Sequence, residues 1–413
     1  MKRFKYFFRV TLLFLFILLT TGTVAQKRDS IINQMDSVEI SLLTCQPHNE
    51  VYSLYGHTAI RFTDRRNNED IVINYGLFSF GKPYFILRFV FGLTDYDMGI
   101  EPFEYFKREY ASYGSAVTQQ TLNLTNEEKQ NIAAAIYENY KPENRTYRYN
   151  YFYDNCTTRA RDIIINNIDG YVIYDNDAKP STSYRDMIHC YNEQHRWARF
   201  GNDLLLGVKA DAQIDFVQQQ FLPESLAKDF DKAVIRGKNS FGECNAKRKL
   251  VYQSRIIVEP GLQPNDGGFP LSPIECSIVF ATLVVLVTVT ELFRKATYWQ
   301  IDAILMLICG LAGLILFAMV FSTHPTVRLN FQILLLNPLA LVFVYPTIKK
   351  LRVKRIHWWI YAWSVCMLLF FIGGLFQTYA EGMYFVAPSM LIRYILKIVQ
   401  LAKTEHKEQK IKV

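Results

Sequence analysis

The chain has 413 residues, half of them hydrophobic and 15% aromatic, and its 46 Lys and Arg against 38 Asp and Glu give a net charge of +8. That length exceeds one ordinary core and suits about two structural units. Much of the positive charge sits in short segments beside apolar runs, which is a membrane-topology signal and argues against a nucleic-acid surface.

The first residues read as a targeting segment. Lys2, Arg3, Lys5 and Arg9 precede an apolar stretch over 10–19, and Thr23, Val24 and Ala25 offer small residues for cleavage after Ala25. We assign 1–25 as a signal peptide, with an uncleaved anchor as the alternative; either way the following residues are exported.

Residues 26–259 are expected to form the exported, α+β domain. Apolar and polar residues alternate over 38–44 and again over 57–63, which predicts two strands. Arg65, Arg66, Asn67 and Asn68 predict a turn, with the second strand of that hairpin over 71–75. Thr125 and Glu128 form a capping-box pattern that opens a helix reaching about Tyr140. An aromatic stretch over 147–153 leads into Asn155 and Cys156, where a further helix is expected to about Ile168. Aromatics over 84–91 and 147–153 fit either an acyl groove or ordinary core.

Pro260, Gly261, Pro264, Gly267, Gly268, Pro270 and Pro273 mark a linker over 260–273. Residues 274–401 then carry five apolar runs, placed at 274–293, 301–321, 331–348, 358–379 and 383–401. A span needs about 20 residues. The last run is the weakest, because Arg393 and Lys397 interrupt it. Arg294 and Lys295, the cluster of Lys349, Lys350, Arg352, Lys354 and Arg355, and the tail over 402–413 are basic, which places them on the cytoplasmic side. The loops 322–330 and 380–382 then share the exported side with the large domain. Trp358, Trp359, Tyr361 and Trp363 read as interfacial anchors. Asn330 and Asn337 need partners at membrane depth.

Two short pieces carry the chemistry. Asn155 is a good N-cap, so Cys156 falls in the first helical turn, where the helix dipole and unpaired N–H groups lower a thiol's pKa. Helical spacing aligns Cys156 with Ala160, Ile163, Ile164 and Ile168, and this face is expected to pack on the sheet carrying His57. A histidine within hydrogen-bond reach would complete an activated nucleophile. The competing reading makes Cys156 a buried filler or half of a disulfide. If it is a thiol, one exported pair at most remains, and Cys190 with Cys244 is the candidate pair. Arg61 shares a strand face with His57 and fits either a phosphate headgroup or a structural salt bridge. Arg159 fits the site or a solvated helix face, and Asn155 fits the site or a simple cap. His324 and Arg328, in an exported loop, are candidates for lipid headgroups. His48, His57, His189 and His195 lack a metal-ligand spacing, so neither metal nor other cofactor is expected. No glycine-rich phosphate loop or nucleic-acid motif is visible.

The segments Gly56-His57-Thr58-Ala59-Ile60-Arg61 and Asn155-Cys156-Thr157-Thr158-Arg159 resemble those of a known group. The order of a His strand before an Asn-Cys helix is similar to circularly permuted, papain-like thiol enzymes of the NlpC/P60 and lecithin:retinol acyltransferase type. The whole layout over about 38–400 resembles the Bacteroides-type lipoprotein N-acyltransferase family, Lnb. That resemblance implies a permuted papain-like exported domain followed by a transmembrane bundle. It implies an inner-membrane acyltransferase with Cys156 as nucleophile and His57 as base. Asn74, on the next strand, matches the polar residue that orients the imidazole in permuted members; a plain strand-end role is the alternative. The implied partners are a phospholipid acyl donor and a diacylated lipoprotein acceptor. A membrane-bound thiol hydrolase and a non-catalytic membrane assembly protein are the competing functions.

Overall fold

The computed structural model describes residues 35–412 except 49, 51–52, 79–82, 175–180, 238–245 and 264–267. The expected signal peptide, and the pairing that involves Cys244, lie outside the described residues.

The chain before the linker is mixed α and β. Its elements are β1 Val38–Cys45, β2 His57–Asp64, β3 Glu69–Leu77, α1 Phe85–Val90, β4 Asp95–Pro102, α2 Phe103–Ser112, β5 Val117–Leu122, α3 Asn126–Tyr140, β6 Thr146–Arg148, α4 Cys156–Ile165, β7 Tyr171–Ile173, α5 Tyr184–Asn192, α6 Arg196–Leu205, α7 Phe216–Gln219, α8 Pro223–Lys232, β8 Val234–Gly237, β9 Ala246–Lys249 and β10 Val251–Val258. Seven strands form an antiparallel sheet in the order β10-β5-β1-β2-β3-β4-β6, and β7, β8 and β9 form a small second sheet.

Both faces of the large sheet are covered near its centre. Ile40, Leu42, Ile60 and Ile73 pack with Ile132 and Ile136 of α3, Ala160 and Ile164 of α4 and Phe230 of α8. Leu43, Cys45, Ala59 and Val72 point the other way, onto Phe103 and Phe106 of α2. This is why β1 is buried along nearly its whole length although its side chains alternate between faces. Thr125 and Glu128 make the expected reciprocal cap. Helix α4 stops at Ile165, three residues before the expected end.

After the linker come α9 Pro273–Arg294, α10 Trp299–Val320, α11 Leu339–Arg352, α12 Trp358–Gly373 and α13 Met383–Lys412. Among the described residues, four helical stretches are long and apolar enough to cross a membrane: Pro273–Arg294, Trp299–Val320, Phe331–Arg352 and Met383–Lys403. The third is broken, with a 3-10 turn at Phe331–Leu334 before Pro338 opens α11. The run expected at 358–379 forms only a 16-residue helix, since Gly373 and Gly374 end it.

Arg393 and Lys397, which weaken the last run as read from sequence, are buried and neutralised in place. Arg393 bonds Asp302 at 2.8 Å and Glu291 at 3.0 Å, and Lys397 bonds the same two carboxylates. Two cations meet two anions, so α9, α10 and α13 are clipped together without net charge. A second correction concerns the tryptophans. Trp358 and Tyr361 are exposed, whereas Trp359 and Trp363 stack inside the bundle, and Trp363 Nε1 donates to the Leu335 carbonyl at 3.1 Å. That bond satisfies a carbonyl freed where the third stretch breaks.

The two halves are fastened by buried amides. Asn330 and Gln332 donate to the Leu204 and Asp203 carbonyls at 2.8 and 2.9 Å, and Gln377 donates to that of Leu206 at 3.0 Å. The Gly207 N–H donates to the Thr326 carbonyl, and Arg196 pairs with Glu381. Both loops expected on the exported side therefore meet the large domain.

Breaking one member of the four-charge cluster strands its partners in a dry interior, which costs about 3–5 kcal/mol. Arg393→Met should lower the thermal midpoint of the detergent-solubilised protein sharply, while Lys403→Ala, at an exposed position, should not. The double variant Arg393→Met/Asp302→Asn, which leaves Glu291 with Lys397, should recover part of the loss.

Candidate active site

Asn155 fixes where Cys156 stands. Its Oδ1 accepts from the N–H groups of Thr157 and Thr158, both at 2.9 Å. Its Nδ2 donates to the carbonyls of Tyr151 at 2.8 Å and Phe221 at 2.9 Å. Thr158 returns a bond to the Asn155 N–H, completing a capping box. The cap uses the second and third N–H groups of α4, so the first, that of Cys156, stays outside it.

Gly56 sets His57. Its φ of +76° turns the chain sharply into β2, and a Cβ there would lie 2.5 Å from the Cys45 carbonyl oxygen. Only glycine fits. Tyr55, just before it, accepts at its hydroxyl from Asn192 at 3.1 Å and Asn202 at 2.6 Å. The entry to β2 is thus tied to α5 and α6, which in turn hold the bundle.

The face of α4 that carries Cys156, Ala160 and Ile164 packs on the sheet, as expected, but His57 belongs to the sheet's other face. Helix α4 packs on the side of β2 that carries Thr58 and Ile60, with Thr58 Oγ1 3.0 Å from Thr157 Oγ1. His57 pairs across the ladder with Cys45 and so shares the opposite face, toward α2. The two groups still meet because each is the first residue of its element. Cys156 is partly buried and makes no disulfide.

The imidazole is oriented by a row across three strands. His57 Nε2 lies 3.0 Å from Asn74 Oδ1, and Asn74 Nδ2 donates to Glu101 Oε1 at 2.6 Å. An ionised carboxylate only accepts, so the amide must turn its oxygen to His57. Nε2 then carries the proton, and Nδ1 is left basic. Burial and the neighbouring Glu109 raise the Glu101 pKa, opposed by its bond from Asn74.

The electrostatics of the pair are mutual. Burial pushes the Cys156 thiol up, but the charge and hydrogen bond of His57, the Thr58 N–H and Thr157 outweigh it and bring the pKa to about 7. Burial lowers His57, while the facing sulfur and the bond to Asn74 raise it above its ordinary value. A thiolate–imidazolium pair is the form these interactions favour.

Gly76 and Glu101 escaped the sequence reading, and Tyr147 entered it only as part of an aromatic stretch. A β-bulge follows Asn74 in β3, and Gly76 takes a φ of +88°. A Cβ on Gly76 would lie 3.7 Å from Cys156 Cβ and 3.9 Å from the Tyr147 hydroxyl. The missing side chain leaves a small space beside the sulfur. The Tyr147 hydroxyl is buried without a hydrogen-bond partner among the described residues. A glycine inside a strand pattern was the one available signal.

Other expected site residues are placed as follows. Arg61 is committed to the fold: it makes a two-pronged salt bridge to Asp70 at 2.8 and 2.7 Å, bonds Gln119 at 2.8 Å and lies over Phe103. Of its two sequence readings, the structure carries the salt bridge. Arg159 pairs with Asp154 at 2.7 and 2.8 Å and stacks 3.5 Å over the ring of Tyr147. It therefore holds the tyrosine that borders the thiol. His324 packs against Gly92, and burial lowers its pKa. Arg328 is exposed and donates to the Ser322 carbonyl at 2.6 Å. A cavity of about 630 Å³ lies between β4, β6 and α3, lined by Arg88, Asp95 and Arg145, and includes none of the thiol-site residues. No group of three or more His, Cys, Asp or Glu suited to a metal occurs among the described residues.

The shifted thiol yields a pH prediction. A thiol at pKa about 7 is half ionised at pH 7, whereas one near 9.0 is about 1% ionised. Alkylation of Cys156 by iodoacetamide should therefore rise through pH 7 in the native protein. His57→Gln should move the inflection toward pH 9 and slow alkylation at pH 7 by more than tenfold.

Two family profiles match successive parts of the chain. The Lnb N-terminal periplasmic domain matches residues 27–189, and the Lnb transmembrane domain matches residues 264–405. No significant match was found among curated proteins or among solved structures. Residues 190–263, which include α6 and α8, lie between the two matches. His57, Asn74 and Cys156 all fall within the periplasmic match. With both parts present in order, the chain belongs to the Lnb family, whose periplasmic and transmembrane domains serve a membrane-associated role in lipoprotein processing.

Proposed function

We propose that this protein is an inner-membrane lipoprotein N-acyltransferase with Cys156 as nucleophile and His57 as general base. The observation that carries the reading is a thiol at a helix start beside an imidazole oriented by Asn74 and Glu101, in a domain fastened to an apolar helix bundle. A lipid acyl chain is costly to move through water, at about 0.8 kcal/mol per CH2. A site held at the bilayer avoids that cost. In this reading α9 to α13 supply five spans, and α12 crosses as a short helix flanked by irregular chain.

In the first half, the Cys156 thiolate attacks an ester carbonyl of a phospholipid. A C–S bond forms, the ester C–O bond breaks, and the leaving alkoxide takes the proton from His57 Nδ1. In the second half, the α-amino group of a diacylglyceryl-cysteine attacks the thioester. Its proton passes to Nδ1, the C–N bond forms, and the thiolate leaves. Asn74, held by Glu101, keeps Nε2 protonated and Nδ1 available throughout. The Cys156 N–H left outside the helix cap and the Tyr147 hydroxyl are the donors offered to the oxyanion.

Incubation with phospholipid should leave an acyl thioester on Cys156, detectable as a mass increment lost on hydroxylamine treatment. Cys156→Ala should abolish it. Lipoprotein N-termini from cells relying on this protein should carry three acyl chains, and two in the Cys156→Ala background. A thioester that forms and discharges only to water would refute the transferase assignment. Asn74→Ala should lower turnover by about 10²-fold and Tyr147→Phe by about tenfold or more.

A further inference from the structure

We infer that α1 is a membrane-surface element, seated in the hydrocarbon edge of the exported leaflet, at which acyl chains enter the site. The inference rests on the acyl-transfer reading for its purpose, but its placement rests on separate observations.

Helix α1 lies in the connection between β3 and β4, and it and its flanking residues turn apolar side chains outward. Tyr84 is 78% exposed, Leu87 57% and Leu93 40%. Its one charged residue is tied back toward β4: Arg88 pairs with Asp95 at 2.7 Å and donates to the Leu93 carbonyl. Arg88 is spent on β4 while Leu87 and Phe89 are offered outward, the arrangement of a helix lying in an interface.

The occupant follows from where α1 is bolted. The Thr323 N–H donates to the Phe91 carbonyl at 3.0 Å, and Thr323 Oγ1 donates to that of Gly92 at 2.8 Å. Gly92 has a φ of +67°, and a Cβ there would lie 2.4 Å from Thr323 Oγ1, so no larger residue allows this approach. Thr323 stands three residues beyond Val320, the last residue of α10. Phe317 and Phe321 are exposed at that same end of α10. A six-residue helix is only about 9 Å long. The headgroup layer adds roughly 5–7 Å to each side of the hydrocarbon core. The exposed side chains of Leu87 and Phe89 are therefore continuous with the exposed end of α10.

An aromatic row runs from Phe78, just after the end of β3 on the way to α1, to the thiol. Phe78 packs on Tyr96 at 5.3 Å, Tyr96 stacks on Tyr149 at 4.2 Å, and Tyr149 borders the space over Gly76 beside Cys156.

The test uses the full-length protein in phosphatidylethanolamine–phosphatidylglycerol vesicles containing radiolabelled phosphatidylethanolamine. A photoreactive phenylalanine analogue is placed at position 87, or at position 105, where Tyr105 is exposed on α2. Irradiation should attach at least tenfold more lipid at 87 than at 105; equal labelling overturns the inference. In parallel, Leu87→Glu/Leu93→Glu should slow Cys156 thioester formation from vesicles at least tenfold. With a short-chain phospholipid dispersed in detergent, the same variant should lose less than twofold. Equal loss in both formats would also overturn it. Strong lipid labelling at 87 with no thioester in either format supports the seating of α1 and instead refutes the acyl-transfer reading.

Discussion

The position of one sulfur rests on one amide. Asn155 spends both ends of its side chain, taking two N–H groups of α4 and giving its own to two carbonyls from separate segments. An N-cap of this kind is worth about 1 kcal/mol on its own. Here it also ties the start of α4 to the loop before α8, so the thiol cannot drift from the end of β2. Everything chemical about the site follows from that placement, because proximity to His57 is what offsets the burial of the thiolate.

The histidine is held with equal economy. Glu101 fixes the Asn74 amide, the amide fixes the imidazole tautomer, and the free nitrogen is the one left to act. The three residues occupy β2, β3 and β4 in ladder order, so a rigid sheet sets their spacing. Tyr55 extends the chain of constraint outward. Its hydroxyl is held by α5 and α6, and carbonyls at the end of α6 receive Gln332 and Gln377 from the bundle. The site is therefore referenced to the membrane through hydrogen bonds between rigid elements.

Charge inside the bundle obeys the same accounting. Arg393 and Lys397 look like interruptions in a one-dimensional apolar pattern. In three dimensions they complete Asp302 and Glu291, which lie on two other helices and would be equally costly alone. The helix α13 thus acquires a unique rotation and depth from the residues that make it hard to recognise.

Local chemistry determined much of this protein. Period-two alternation marked β1 and β2, and turn-forming residues marked Arg65–Asn68; the Thr125 and Asn155 caps marked two helix starts; basic loops and apolar runs marked the membrane part. The pairing of a strand His with a helix-start Cys was legible because both motifs are short and each depends on neighbours in sequence. What only the tertiary structure decided involves partners distant in sequence: the Asn74–Glu101 bond across 27 residues, the Gly76 bulge, the burial of Tyr147 and the commitment of Arg61 to Asp70 and Gln119. The split of the tryptophans into exposed and stacked residues belongs there too. A side chain's propensity travels with its own residue, but its hydrogen-bond partner and its exposure exist only once the chain has closed on itself.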